Sequence, residues 1–262
     1  MFDICIVGAG MAGITAAIEA SKLGLSVALI DKNRKIGNKI YATGNGKCNL
    51  SNRYMNFAKC YHSADDAYAD FIKNMYSNPS YKSMLKEYFS YIGLRTYTDK
   101  YGYIYPASNQ ASCVVWAMND RLSTNKVHIL TDSAVLNIEK NEDIFSIILD
   151  NGETLSSKYA ILACGGNSYP KLGGSVQGYE LARKMGHHIA RLSPALCAVV
   201  TKDNLCIADG VRVRTTAYLT VDNNICCSHT GEVQITSYGL SGIAIFNMVS
   251  RITSAIEQGK SV

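Results

Sequence analysis

Paired metal-ligand spacing is missing from this chain. Its nine cysteines form no C-x-x-C pair, so neither a zinc ribbon nor a dithiol redox motif is written in it, and no metal site is expected. Scattered thiols of this kind fit a reducing compartment rather than a disulfide framework. No apolar run is long enough to span a bilayer. Asp3 interrupts the apolar start and no basic segment precedes it, so a signal peptide is not expected. The expectation is a cytoplasmic protein without a membrane partner. Basic tracts and RNA-binding motifs are also absent. The net charge of +5 is modest and argues for no nucleic-acid partner. No Ser-His-Asp set, Cys-His pair or carboxylate dyad points to hydrolysis. No internal repeat or low-complexity tract appears. The 47% hydrophobic content is ordinary for a globular chain with a real core.

What is present is concentrated in residues 1–32. Phe2-Asp3-Ile4-Cys5-Ile6-Val7 is short and apolar, as a buried parallel strand should be. Gly8, Gly10 and Gly13 follow it directly as G-x-G-x-x-G. Ala16, Ala17, Ile18, Ala20 and Leu23 then recur at helical spacing, and a second apolar strand ends on Asp31. Gly8 suits the tight turn, Gly10 the approach of a pyrophosphate to the backbone, and Gly13 the close packing of helix on sheet. The helix start at Met11 and Ala12 offers unpaired N–H groups and a positive dipole end to phosphates. Asp31 is placed to accept both hydroxyls of an adenosine ribose. The motif predicts a dinucleotide site because strand, helix and terminal acid are all in place. A glycine-rich loop in another α/β fold is the alternative.

Downstream, residues 36–52 are polar, with Gly37, Gly44 and Gly46, and too long for a routine connection. The basic cluster Lys32, Arg34, Lys35, Lys39 and Lys47 suits phosphates or a solvated loop equally. Residues 64–91 read as helical around a break at Asn78-Pro79-Ser80, with Ala67, Phe71, Ile72 and Met75 on one face. Met84, Leu85, Tyr88 and Phe89 form another face. A tyrosine-rich strand region at 97–105, a helix at 111–122 and a strand at 127–130 follow. Residues 134–140, 144–150 and 153–157 predict three antiparallel strands, with Asn151-Gly152 as a two-residue turn. A separate buried strand at 159–164 then runs into Gly165-Gly166, and a short helix spans 179–185. Composition shifts after Leu192-Ser193-Pro194. Strands are expected at 211–221, 225–227 and 232–236, and a helix from Leu240 carrying Ile243, Phe246 and Val249.

These motifs together resemble the HI0933-like (BaiN-like) flavoproteins, which include the aminoacetone-oxidase-type proteins. The resemblance rests on Gly8 to Gly13 with Asp31-Lys32, on Gly37 to Asn52 with its Thr43-Gly44-Asn45-Gly46-Lys47-Cys48-Asn49 run, on Gly102 to Ser108, on Ala163 to His187 with its Ala163-Cys164-Gly165-Gly166-Asn167-Ser168-Tyr169-Pro170 run, and on residues 236–242. It implies an α/β fold: a Rossmann-like FAD/NAD(P)-binding domain with a parallel sheet and antiparallel β-meander at residues 1–191, then an antiparallel β insertion domain at 192–262. It implies FAD as cofactor. Gly8, Gly10, Met11, Ala12 and Gly13 would face the pyrophosphate, and Asp31 with Lys32 the ribose. Lys39, Thr43, Gly44, Gly46, Lys47, Cys48 and Asn49 would run along the flavin. Val135 would meet adenine through its backbone, with Cys164, Gly165 and Gly166 close by. Lys47 replaces a usual arginine, Gln177 an aspartate, Ile243 a proline and Cys164 a threonine.

The implied activity is hydride or electron transfer between FAD and a small organic substrate, with NAD(P)H as a transient reductant. Side-chain candidates for the chemistry are Lys39, Cys48, Asn49 and Tyr105. A catalytically incomplete flavin-binding fragment, an RNA-associated flavoprotein and an NAD-dependent dehydrogenase are the alternatives. Family members return to the first domain after the insertion. This chain ends earlier, so poor turnover and self-association through the C-terminal apolar face are expected.

Overall fold

The computed structural model describes residues 1–54, 70, 71, 73, 74 and 80–262, the side chains of 80–82 aside. Most of the helix expected before residue 80, including Ala67, Ile72, Met75 and the Asn78-Pro79 break, lies outside the described residues. The chain packs as two compact units, Met1–Ile189 and Ala190–Val262.

The first unit is built on a six-stranded sheet. β1 (Phe2–Val7) leads through α1 (Met11–Lys22) to β2 (Val27–Ile30). α2 (Asn38–Ala42), β3 (Ser51–Asn52), α3 (Ser80–Tyr91), β4 (Thr96–Thr98), β5 (Tyr103–Pro106) and α4 (Ala111–Thr124) follow. β6 (His128–Leu130), β7 (Val135–Asn141), β8 (Ile144–Leu149), β9 (Thr154–Leu162) and α5 (Gln177–Lys184) complete the unit. The strand order is β6-β2-β1-β9-β8-β7, and β3-β5-β4 make a separate small sheet. β6, β2, β1 and β9 run parallel, whereas β7, β8 and the first half of β9 form an antiparallel meander.

Alternation along the strands explains the two cores. Ile4, Ile6 and Leu29 point to one face, where they pack with Ile14 and Ile18 of α1 and Val114, Met118 and Leu122 of α4. Cys5, Val7, Ala28 and Ile30 point to the other, against the meander and Leu181 of α5. A buried central strand needs apolar residues on both faces, which is why β1 and β2 read as unbroken apolar runs. Each fully buried Ile or Leu contributes about 1.5–3 kcal/mol.

One expectation needs correction here. The strands expected at 153–157 and 159–164 are a single strand. β9 pairs antiparallel with β8 through Thr154, Leu155, Ser156 and Ser157, then parallel with β1 through Ser157 to Leu162. No turn residue separates the halves, so the ladder simply changes partner. Its second half is only partly buried, with Tyr159 exposed. The turn before it is also longer than two residues: Leu149 N–H donates to the Glu153 carbonyl at 2.9 Å, and Gly152 takes a positive φ of 87°. That is the three-residue loop ending in a left-handed glycine.

The second unit contains β10 (Val199–Val200), β11 (Arg212–Val221), β12 (Asn224–Thr236), β13 (Gly239–Ser241), α6 (Ile243–Phe246) and α7 (Val249–Glu257). Its sheet order is β10-β13-β12-β11, all antiparallel. The two short strands expected at 225–227 and 232–236 are one 13-residue strand. The polar stretch Ser228-His229-Thr230-Gly231 continues it because each of its residues pairs with β11, and a side chain at Gly231 would lie 2.7 Å from Ile243. Its missing Cβ lets α6 lie on the sheet. Leu240 is in β13 rather than a helix, and the helical run is broken at Asn247 between α6 and α7. Val249 is buried, Phe246 is half-buried and Ile243 is exposed.

Candidate functional site

The glycine loop sits where β1 ends and α1 begins, and each glycine there has a different steric reason. A Cβ on Gly8 would come within 2.5 Å of the Ala163 carbonyl, and its φ of 106° is left-handed. A Cβ on Gly13 would collide with the Gly8 carbonyl. Around the Gly10 Cβ position nothing lies within 4 Å. Gly8 and Gly13 therefore hold the fold together, while Gly10 leaves open space at the start of α1. Gly10 is also the N-cap and supplies no side-chain cap to the helix. The first-turn N–H groups of α1 thus stay available to an anion, reinforced by the helix dipole.

This opening leads into a cavity of about 1030 Å³, generous for a large ligand. Among the sequence-derived candidates, Gly8, Gly10, Met11, Ala12, Asp31, Lys39, Thr43, Cys48, Asn49, Cys164 and Gly165 line it. Lys32 and Val135 line a smaller cavity of about 50 Å³, which also touches Asp31. Gly13 packs beneath the loop. Gly44, Gly46, Lys47 and Tyr105 are not on either wall. Lys47 is exposed. Gly166 is absent from both walls too, but its carbonyl accepts a bond from Lys39 Nζ at 3.3 Å. Tyr105 belongs to the small sheet, where it pairs with Tyr97 with ring centroids 6.0 Å apart.

Asp31 follows β2 and already has partners. Its Oδ2 accepts the Ala9 amide at 2.6 Å. Its Oδ1 accepts both the Asn33 amide at 2.8 Å and the Asn33 side chain at 2.7 Å. A carboxylate offers about four acceptor positions, so roughly one is left for a ligand hydroxyl. The ribose hydroxyls expected at Asp31 would share its carboxylate with the Ala9 and Asn33 donors. Asp31 also ties the glycine loop to the end of β2.

Two thiols and one phenol complete the wall. Burial first, and the Asp31 charge second, push the Cys164 thiol up, with Lys32 opposing. Its Sγ–H donates to the Val7 carbonyl at 3.4 Å, so it is a packed, protonated thiol. Cys48 is buried in a left-handed conformation, φ 59°. Tyr88 is pushed up to about 12, mainly by burial, with the Glu19 charge adding and its bond to Thr15 opposing. Tyr88 and Thr15 hydroxyls lie 3.0 Å apart, joining α3 to α1 on the cavity wall.

Sequence reasoning missed Asn33, Gly173 and the Tyr88–Thr15 pair. A Cβ on Gly173 would meet the Asn33 side chain at 2.7 Å. The adjacent Gly173-Gly174 pair was the available signal. Among the described residues no group of three or more His, Cys, Asp or Glu could hold a metal. Also among them, no helix is long and apolar enough to cross a membrane.

The family description "HI0933-like protein Rossmann domain" matches residues 2–252. The chain belongs to the HI0933-like family. This HI0933-like chain is 37% identical over 265 residues to a 3-dehydro-bile acid delta(4,6)-reductase of Clostridium scindens, covering 100% of this chain and 63% of that protein. It is 28% identical over 253 residues to a ribosomal RNA dihydrouridine synthase of Escherichia coli, covering 95% of this chain and 60% of that protein. The chain thus spans under two thirds of the length of these curated relatives. A solved structure of Thermovibrio ammonificans THI4 matches with a TM-score of 0.47 at 14% identity, over 71% of this chain and 62% of that one.

Proposed function

We propose that this chain supplies the dinucleotide-binding part of an FAD-dependent oxidoreductase that acts on a small organic substrate. The observation that carries the reading is the open volume over Gly10 at the start of α1, continuous with a cavity that also reaches Asp31, Thr43, Cys48 and Asn49. The residues fit the group. The α1 amides and dipole suit the pyrophosphate, the remaining acceptor site of Asp31 suits a ribose hydroxyl, and Lys39, Thr43, Cys48 and Asn49 flank the far end of the cavity. Val135, on the smaller cavity, fits the adenine end.

Bound FAD would supply hydride or electron-pair transfer. The chain's own residues position it. Asp31 holds the glycine loop against β2 through Ala9, and Lys39 bridges to the Gly166 carbonyl after β9. Burial pushes the Cys164 thiol up, so this residue does not compete as a nucleophile. Lys39, Cys48 and Asn49 remain the proposed side chains nearest the chemistry, whereas Tyr105 stands off the cavity wall. We take the reductive direction, because the names of a delta(4,6)-reductase and a dihydrouridine synthase among the relatives both point to reduction, and we take NAD(P)H as the electron donor to be tested. The modest charge and lack of a basic tract favour a small-molecule acceptor over RNA.

The test is to load the protein with FAD without oxygen, add NADH or NADPH, and follow loss of the flavin's visible absorbance. A conjugated ring enone is then added and reoxidation is followed. Bleaching and enone-dependent recovery are expected. A colourless protein that binds a nicotinamide dinucleotide and not FAD would favour a dehydrogenase instead.

A further inference from the structure

We propose that Gln177 is a gate on the nucleobase end of this site, holding the carbonyl that an adenine must reach. The inference rests on the dinucleotide reading above. If phosphates lie at Gly10 and a ribose at Asp31, the base continues past Asp31, into the space that adjoins Asp31 and the foot of the glycine loop at Gly8. The smaller cavity is there, lined by Asp31, Ser133, Val135, Gln177, Gly178 and Leu181. At about 50 Å³ it has room for a water or two, not for a bicyclic base.

One long side chain, that of Gln177, reaches across this cavity to its far wall. Gln177 opens α5 and donates through Nε2 to the Val135 carbonyl at 2.9 Å. The helix behind it is seated closely on its neighbours. A Cβ on Gly178 would lie 2.6 Å from the Cys164 Cβ, so the α5 backbone is already seated on the end of β9. Leu181 is buried in the core below, and Lys184 Nζ reaches the Leu136 carbonyl at 3.3 Å. In this proposal the cavity enlarges by rotation of the Gln177 side chain about its own bonds, which breaks one hydrogen bond and moves no backbone. An adenine's exocyclic amine is a hydrogen-bond donor, like the glutamine amide. The Val135 carbonyl exchanges one donor for the other, and the released amide turns to water. The number of hydrogen bonds is conserved, but the base binds only the open state. Apparent affinity is lowered by the fraction of time the gate is open.

Titration calorimetry on the full chain tests this with FAD and ADP, which carry adenine, and FMN, which does not. Gln177→Ala removes bond and bulk. It is expected to bind FAD and ADP about three- to tenfold more tightly, the equivalent of one neutral hydrogen bond, with FMN affinity unchanged. Gln177→Leu keeps the bulk and loses the bond, and should shift the same way by less, which covers the case of an alanine variant that folds poorly. Unchanged or weaker FAD binding by these variants overturns the gate, as does equal tightening of FMN. A wild-type chain that binds neither FAD nor ADP overturns the dinucleotide reading and the gate with it. Wild-type binding with indifferent variants overturns the gate alone.

Discussion

Asp31 and Gly10 are the residues on which the site turns, and they should respond differently to substitution. Asp31→Ala removes a ligand acceptor and releases the Ala9 and Asn33 amides together. FAD affinity should fall by about 1.5–3 kcal/mol, the worth of charge-assisted bonds. The melting temperature should fall as well, because the loop loses its anchor. Calorimetry and a thermal melt on one preparation check both, and unchanged FAD affinity would remove Asp31 from the site. Gly10→Val adds a side chain to open space at an ordinary extended φ of −82°. The variant should melt like wild type yet lose FAD. Gly13→Val should fail to fold, since its side chain would strike the Gly8 carbonyl. If Gly10→Val retains flavin, the loop is not the phosphate site.

At the scale of elements, the strand-loop-helix-strand start was legible because its apolar runs, glycine spacing and terminal acid are local signals. β9 and β12 were not. Each was divided in sequence where polarity rose, at Lys158 and at residues 228–231. In space, each continues because a neighbour holds it. β9 takes β1 as a second partner, and β12 pairs along its length with β11. Partner exchange is a tertiary fact that periodicity does not carry. The site was legible in part for the same reason. Glycines announce close approaches, but the bond between Gln177 and Val135 joins residues 42 apart.

The junction of β1, β2 and β9 also carries a pH signature. Asp3 accepts from Lys158 at 2.8 Å and from the Ser26 amide and hydroxyl, each at 2.9 Å. The Lys158 bond first, then the Ser26 bonds, hold its carboxyl well below the usual carboxylate range. A carboxyl depressed in the folded state adds stability above its unfolded value, near 4, and loses it as pH falls further, because the unfolded chain then takes up the proton first. Melting temperatures across pH 2–7 should therefore show a steeper acid fall for wild type than for Asp3→Asn. Identical profiles would mean that solvent screening cancels the staple.

For the whole molecule, the Met1–Ile189 unit contains every wall residue of both cavities, so the proposed cofactor site lies wholly within that unit. The substrate side is a separate question, and the chain spans under two thirds of its curated relatives. The most direct measurement is therefore the stoichiometry and affinity of FAD binding by the purified 262-residue chain, by calorimetry and visible absorbance, beside Gly10→Val. The account predicts one FAD per chain for wild type and none for the variant at an equal melting temperature. A wild-type chain that stays colourless with excess FAD, or a Gly10→Val chain that binds it equally well, would contradict the account.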